Sequence, residues 1–149
     1  MKIYVLGTRG IPDVAGGVET HCERLYPRLA SMGMDVTVVR RRCYVSPRNE
    51  YRGVRLIDVY APRIKSLEAM CHTLLGVFKA GIDRADVVHL HAVGPSLLAP
   101  LARLLGMKVV VTNHGHDYER EKWGRVAKAV LRMGERVGVR FANEVIAIS

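Results

Sequence analysis

The segment GTRGIPDVAGG, Gly7 to Gly17, follows a short apolar run and leads directly into a helical pattern, an arrangement suited to holding an anion. Glycines let backbone N–H groups approach a phosphate closely, and a helix beginning near Val18 aims its positive end at the same spot. The spacing is neither G-x-G-x-x-G nor G-x-x-x-x-G-K-[ST], which disfavours an ordinary NAD enzyme and a Walker-type nucleotidase. Glu19 and Thr20 follow on the first helical turn. Glu19 reads equally well as a surface acid complementing the helix dipole.

Histidines form the second constellation. In VVHLHAVGPS, His89 and His91 are two positions apart, so an extended chain points them to one face. His89, with apolar neighbours on either side, reads as readily as a core histidine. His114 and His116 follow in TNHGHDYEREKW, together with Asp117, Glu119, Arg120 and Lys122. Such donors and acceptors suit sugar hydroxyls and phosphates. A zinc site built on the four imidazoles is disfavoured, because the second pair falls in a turn with no fixed ligand geometry. Trp123 is more simply a core residue than a sugar platform.

These groups need a scaffold, and the alternation of short β-branched runs with helical stretches supplies one. It predicts an α/β domain with a parallel sheet covered by helices. Strands are expected at Lys2 to Leu6, Asp35 to Arg40, Val54 to Tyr60, Asp86 to Leu90, Lys108 to Thr112 and Glu144 to Ile148. Helices are expected after Val18, with a buried stripe of Val18, Cys22, Leu25, Leu29 and Met32, and from about Ser66, with Leu67, Met70, Leu74, Val77 and Phe78 on one side. Two more run from Pro95 to Leu105 and from about Lys122 to Val139. In an open α/β sheet, ligands lie outside the carboxyl ends of the strands. The Gly7–Gly17 loop, His89 to Ser96 and Thr112 to Lys122 all fall at such ends, so the three clusters should converge.

Composition sets outer limits. With 149 residues, 49% hydrophobic and 25% charged, the chain fits one globular domain with a real core. No apolar run approaches the roughly 20 residues that cross a bilayer, and no leader pattern precedes strand one; a cytoplasmic location is expected. Three scattered cysteines, Cys22, Cys43 and Cys71, support neither a disulfide framework nor a zinc knuckle. A net charge of +9, with clusters at Arg40 to Arg42 and at Arg125, Lys128, Arg132, Arg136 and Arg140, favours anionic partners. No nucleic-acid recognition motif accompanies it, so specific nucleic-acid binding is not expected.

Taken together, four passages resemble the N-terminal half of a retaining GT-B glycosyltransferase of the family 4 type, within the bacterial group related to rhamnosyltransferases. They are KIYVLGTRGIPDVAGGVET (2–20), DVVHLHAVGPS (86–96), TNHGHDYEREKWGRVAK (112–128) and NEVIAIS (143–149). The resemblance implies a Rossmann-like three-layer sandwich with a mostly parallel sheet. It implies transfer of a sugar from a nucleotide-diphosphate donor to a hydroxyl of a sugar or lipid-linked acceptor, with retention and without a metal or other cofactor.

Residue by residue, it places Gly16 and Gly17 beside the donor diphosphate and His114 near the donor sugar. Arg9, Glu19, Thr20, His91, Asp117 and Arg120 are assigned to the acceptor side or the cleft. The family's second domain, with its basic diphosphate grip and acidic E-x(7)-E element, has no counterpart in these residues, so residues 1–149 are expected to be inactive alone. Lipid-linked acceptors imply contact with an anionic membrane at the inner face, through the helix near Ser66 to Gly81 flanked by Arg63, Lys65, Lys79 and Arg84. The same helix reads otherwise as a plain sheet-covering element. The competing readings of the whole are a noncatalytic ligand-binding module, one chain of a split enzyme, and a metal hydrolase built on the histidines.

Overall fold

A computed structural model describes residues 1–64, 67–114 and 124–148. The expected strands form. A sheet in the order β3-β4-β2-β1-β5-β6-β7 is built from β1 (Lys2–Leu6), β2 (Asp35–Arg41), β3 (Glu50–Tyr51), β4 (Val54–Val59), β5 (Val87–His91), β6 (Lys108–Asn113) and β7 (Glu144–Ala147). Every pairing is parallel except β3 with β4. That small hairpin turns through Arg52 and Gly53, both at positive φ, and two paired residues are too few to leave a hydrophobic period in the sequence.

The central strands are buried on both faces, as a parallel sheet requires. Tyr4 and Leu6 of β1 join Val88, Leu90, Val109 and Val111 in one core, beneath α2 (Glu68–Ile82) and α3 (Ala99–Leu104). Ile3 and Val5 turn to the other face, where Val36, Val38 and Leu56 meet Cys22 and Tyr26 of α1 (Gly17–Ser31). Pro95–Leu98 form a 3-10 turn before α3, splitting the one helix expected there. The last helix, α4 (Arg125–Phe141), presses Gly134 against the Val93 carbonyl and Gly138 against Ser96 so closely that a Cβ at either would clash. The expected start at Lys122 lies outside the described residues, as do Lys65, Ser66 and Trp123.

Two helix faces differ from expectation. On α1, Met32 is exposed, while Glu19 and Tyr26 join Cys22 in the interior. The difference on α2 is larger. Of the five apolar residues expected to pack inward, Val77 is buried and Met70 half-buried, while Leu67, Leu74 and Phe78 face outward with Leu75 and Ile82. The helix instead buries Glu68, His72, Thr73, Gly76 and Ala80. Gly76 explains this choice, since a Cβ there would collide with Leu6 of the central strand. Polar groups on the buried face find partners: Glu68 binds Arg41 and Tyr44, and His72 Nε2 donates to the Arg40 carbonyl at 3.0 Å.

Candidate functional site

After β4 the chain crosses over α2 and returns to the other side of β1, placing β5 next to it. The switch point therefore lies between β1 and β5, where open α/β sheets bind ligands. At that end β1 leads into the Gly7–Gly16 loop, β5 ends at His91 and β6 leads to His114. The described residues of the three clusters converge as expected. Gly7 packs on the backbone of His91, so close that a Cβ would meet its carbonyl oxygen. Ala92, just beyond, holds a left-handed φ of 76°, an unfavourable conformation for a residue with a side chain.

The loop is pinned from beneath at two points. Glu19 is 4% exposed. Its Oε1 accepts from the Arg9 N–H at 2.9 Å and from the Thr8 hydroxyl at 3.3 Å, and lies 3.6 Å from Arg9 Nε. Glu19 is thus a buried anchor of the loop, not the exposed acid a dipole argument allows. Gly16, at φ 144°, leaves room for this carboxylate, which a Cβ would strike. Gly17 opens α1 with nothing near its missing side chain, and no side chain caps that helix end. An approaching group therefore meets bare backbone N–H there, next to a groove of about 410 Å³ lined by Gly17, Thr20, His21, Arg24, Leu25 and Arg28.

The second anchor is Arg40. Of the basic cluster Arg40 to Arg42, Arg42 alone is exposed: Arg40 is 2% exposed, and Arg41 is turned inward toward Glu68. Arg40 forms a two-pronged pair with Asp58 (Nε to Oδ1 2.6 Å, Nη2 to Oδ2 2.9 Å). It also donates to the carbonyls of Ile11, Ser46 and Arg48. One side chain thereby ties the glycine loop to the β2–β3 connection.

Between α1 and the ends of β5 and β6 lies a linked set of histidines. His89 and His91 share one face of β5, as their spacing predicts, with rings stacked 4.3 Å apart. Tyr26 Oη sits 2.7 Å from His89 Nδ1 and 2.6 Å from His91 Nε2. His91 Nδ1 is 2.9 Å from His114 Nε2, and His89 Nε2 is 2.6 Å from Thr112 Oγ1. Burial, with neighbouring imidazoles adding to it, lowers the pKa of His89 to about 4 and holds His91 well below its ordinary value. Burial likewise raises the Cys22 thiol and the Tyr26 phenol. Cys22, Tyr26, His89 and His91 are therefore neutral near pH 7.

Of the residues expected in the site, Gly16, Gly17, Arg9, Thr20, His91 and His114 lie at this end of the sheet. His91 is fully buried and stands behind His114. Asp117, Arg120 and His116 lie outside the described residues. Sequence reasoning missed His21, whose ring is 5.2 Å from that of His114 and 5.9 Å from that of His91. It also missed Tyr26. The Cys22-to-Tyr26 spacing is the helical step of one buried face, and a phenol there signals a polar partner inside. Among the described residues, no group of three His, Cys, Asp or Glu is placed to hold a metal ion.

Comparison with known proteins agrees with this geometry. Residues 15–149 match the model of Glycosyltransferase Family 4. The fold superposes on sucrose-phosphate synthase from Thermosynechococcus elongatus with a TM-score of 0.75 at 20% identity, covering 99% of this chain and 42% of that one. At that identity the likeness is one of fold, and this chain spans less than half the length of that protein. No curated protein matches the sequence. A mostly parallel Rossmann-like sheet matching half of a GT-B fold, together with a family match over nearly all its residues, identifies the chain as belonging to Glycosyltransferase Family 4, as an N-terminal domain of that type.

Proposed function

We propose that this domain is the acceptor-side half of a retaining transferase of the rhamnosyltransferase-related group. It would move a sugar from a nucleotide-diphosphate donor to a hydroxyl in cell-surface polysaccharide or glycolipid synthesis, without a metal. The observation that carries this is the meeting of His114 with the start of α1, through His21, at the switch point of the sheet. On this reading the N–H groups around Gly16 and Gly17 face the diphosphate. Arg9 and Thr20 border the acceptor path, and Glu19 serves by shaping the loop. His114 acts as a positioning or electrostatic group beside the donor sugar. A second α/β domain supplies the main grip on the nucleotide.

The reading frame beyond Ser149 tests the last point. A continuing frame encoding a second α/β domain supports it, and a stop codon favours a binding module or a split enzyme. In the two-domain protein, His114→Ala should lower kcat/KM for sugar transfer by about 10²–10³-fold, the effect of removing one preorganised group at a reacting centre. Unchanged turnover would remove His114 from the site. Residues 1–149 alone should show no transfer.

The outward face of α2 adds an expected partner. Ile64, Leu67, Leu74, Leu75, Phe78 and Ile82 are exposed on and just before the helix, and Arg63, Lys79 and Arg84 flank them in sequence, Lys79 within 4.0 Å of Asp83. Exposed apolar residues flanked by cations match the interface of an anionic bilayer. The protein should co-sediment with vesicles containing anionic lipid at low salt and be released at high salt. Failure to sediment at low salt would contradict the assignment.

A further inference from the structure

We propose that Tyr26 is a positioning residue whose one phenolic proton sets the direction of a buried hydrogen-bond chain and, through it, which nitrogen of His114 is protonated. This deepens the reading of His114 as a site group and rests on it.

The chain runs Thr112, His89, Tyr26, His91, His114, with each link between 2.6 and 2.9 Å. A neutral imidazole has one N–H donor and one bare nitrogen, and a phenol has a single proton. Since His89 and His91 are neutral, two proton arrangements satisfy every link and also use the phenolic proton. In one, every proton points toward His114; in the other, every proton points toward Thr112. A third, with Tyr26 accepting from both imidazoles through its two lone pairs, leaves its phenolic proton orphaned in the interior, where its hydrogen-bond partners among the described residues are those two rings; any other mixture sets two donors or two lone pairs against each other.

Thr112 selects between them. Its hydroxyl is fully buried, and its one partner among the described residues is His89 Nε2. If Thr112 accepted, its own O–H would be orphaned in the interior, and burying an unmade donor is costly. It therefore donates to His89 Nε2, and the remaining links follow. His89 Nδ1–H donates to Tyr26, the Tyr26 hydroxyl donates to His91 Nε2, and His91 Nδ1–H donates to His114 Nε2. In neutral His114 the proton then sits on Nδ1.

The test is a tautomer measurement. Long-range proton–nitrogen spectra of the full-length protein, labelled at histidine and assigned with single His→Gln variants, should show Nδ1–H forms for His89, His91 and neutral His114. Tyr26→Phe is nearly isosteric. It removes the donor that fixes His91 Nε2, allowing that nitrogen to carry a proton toward Cys22 Sγ, 3.7 Å away. His91 should then lose its single Nδ1–H form and become a mixture. A Tyr26 that only fills space would leave the His91 signal unchanged, which would overturn the proposal. So would an Nε2–H tautomer at His91 in the unsubstituted protein. Neither readout involves a nucleotide sugar, so loss of the transferase reading and loss of this one would be separately visible.

Discussion

Lowering the pH from 7 to 4 should unfold this domain. Burial holds His72 and His89 at a pKa of about 4, against 6.5 for an unburied imidazole, and holds His91 well below that ordinary value. Above pH 6.5 these groups are neutral in both folded and unfolded chains and cost nothing. As pH falls below 6.5, the unfolded chain takes up protons that the folded one refuses, and stability drops with each. By pH 4, His72 and His89 should each have removed about 3 kcal/mol. His91 adds to that loss. Total stabilities of domains lie near 5–15 kcal/mol, so the sum reaches the scale of the whole. Urea melts from pH 7 to pH 4 should show the midpoint falling steadily, with about three protons bound on unfolding. A midpoint flat across that range would contradict the buried, neutral histidines.

The second large effect is expected at Arg40. Arg40→Ala should cost about 3–5 kcal/mol, because it leaves a buried-pair carboxylate at Asp58 uncompensated. It also strips the donors from the Ile11, Ser46 and Arg48 carbonyls. In a domain of this size that amounts to a fall in Tm of about 10 °C or more. Arg40→Lys should recover little, since an ammonium cannot reproduce the planar fork that meets both Asp58 oxygens and the carbonyls. Removing both partners, as Arg40→Met with Asp58→Leu, should cost less than Arg40→Ala alone. Thermal unfolding of the three variants checks this order. A wild-type Tm for Arg40→Ala would show that the loop is not held from beneath by this side chain.

Strands were legible because each central one is a β-branched run buried on both faces, and the βα alternation leaves few ways to arrange such runs. The convergence of Gly7–Gly17, His91 and His114 followed from topology alone. Chemistry hidden by burial was less legible. Arg40 lies in an RRR run that looks like surface charge; the carbonyls that bury it come from a loop without periodicity. On α2 the large apolar residues Leu74, Leu75, Phe78 and Ile82 face outward while Glu68, His72 and Thr73 are buried, so the apolar pattern points to the wrong face. Leu6 against Gly76 decides it, and that contact joins residues far apart in sequence. Glu19 belongs with these, since a first-turn acid is ordinary and only the Thr8 and Arg9 donors beneath the loop make it an anchor.

In the proposed function, the end of the sheet where β1, β5 and β6 finish receives the phosphate and sugar of a nucleotide-sugar donor. Its most direct test is chemical-shift mapping of the isotope-labelled full-length protein against a panel of nucleotide sugars. One member of the panel should perturb Gly16, Gly17, His21 and His114 together, and His114→Ala should weaken the effect. Perturbations confined to other faces of this domain, or none from any member of the panel, would contradict it.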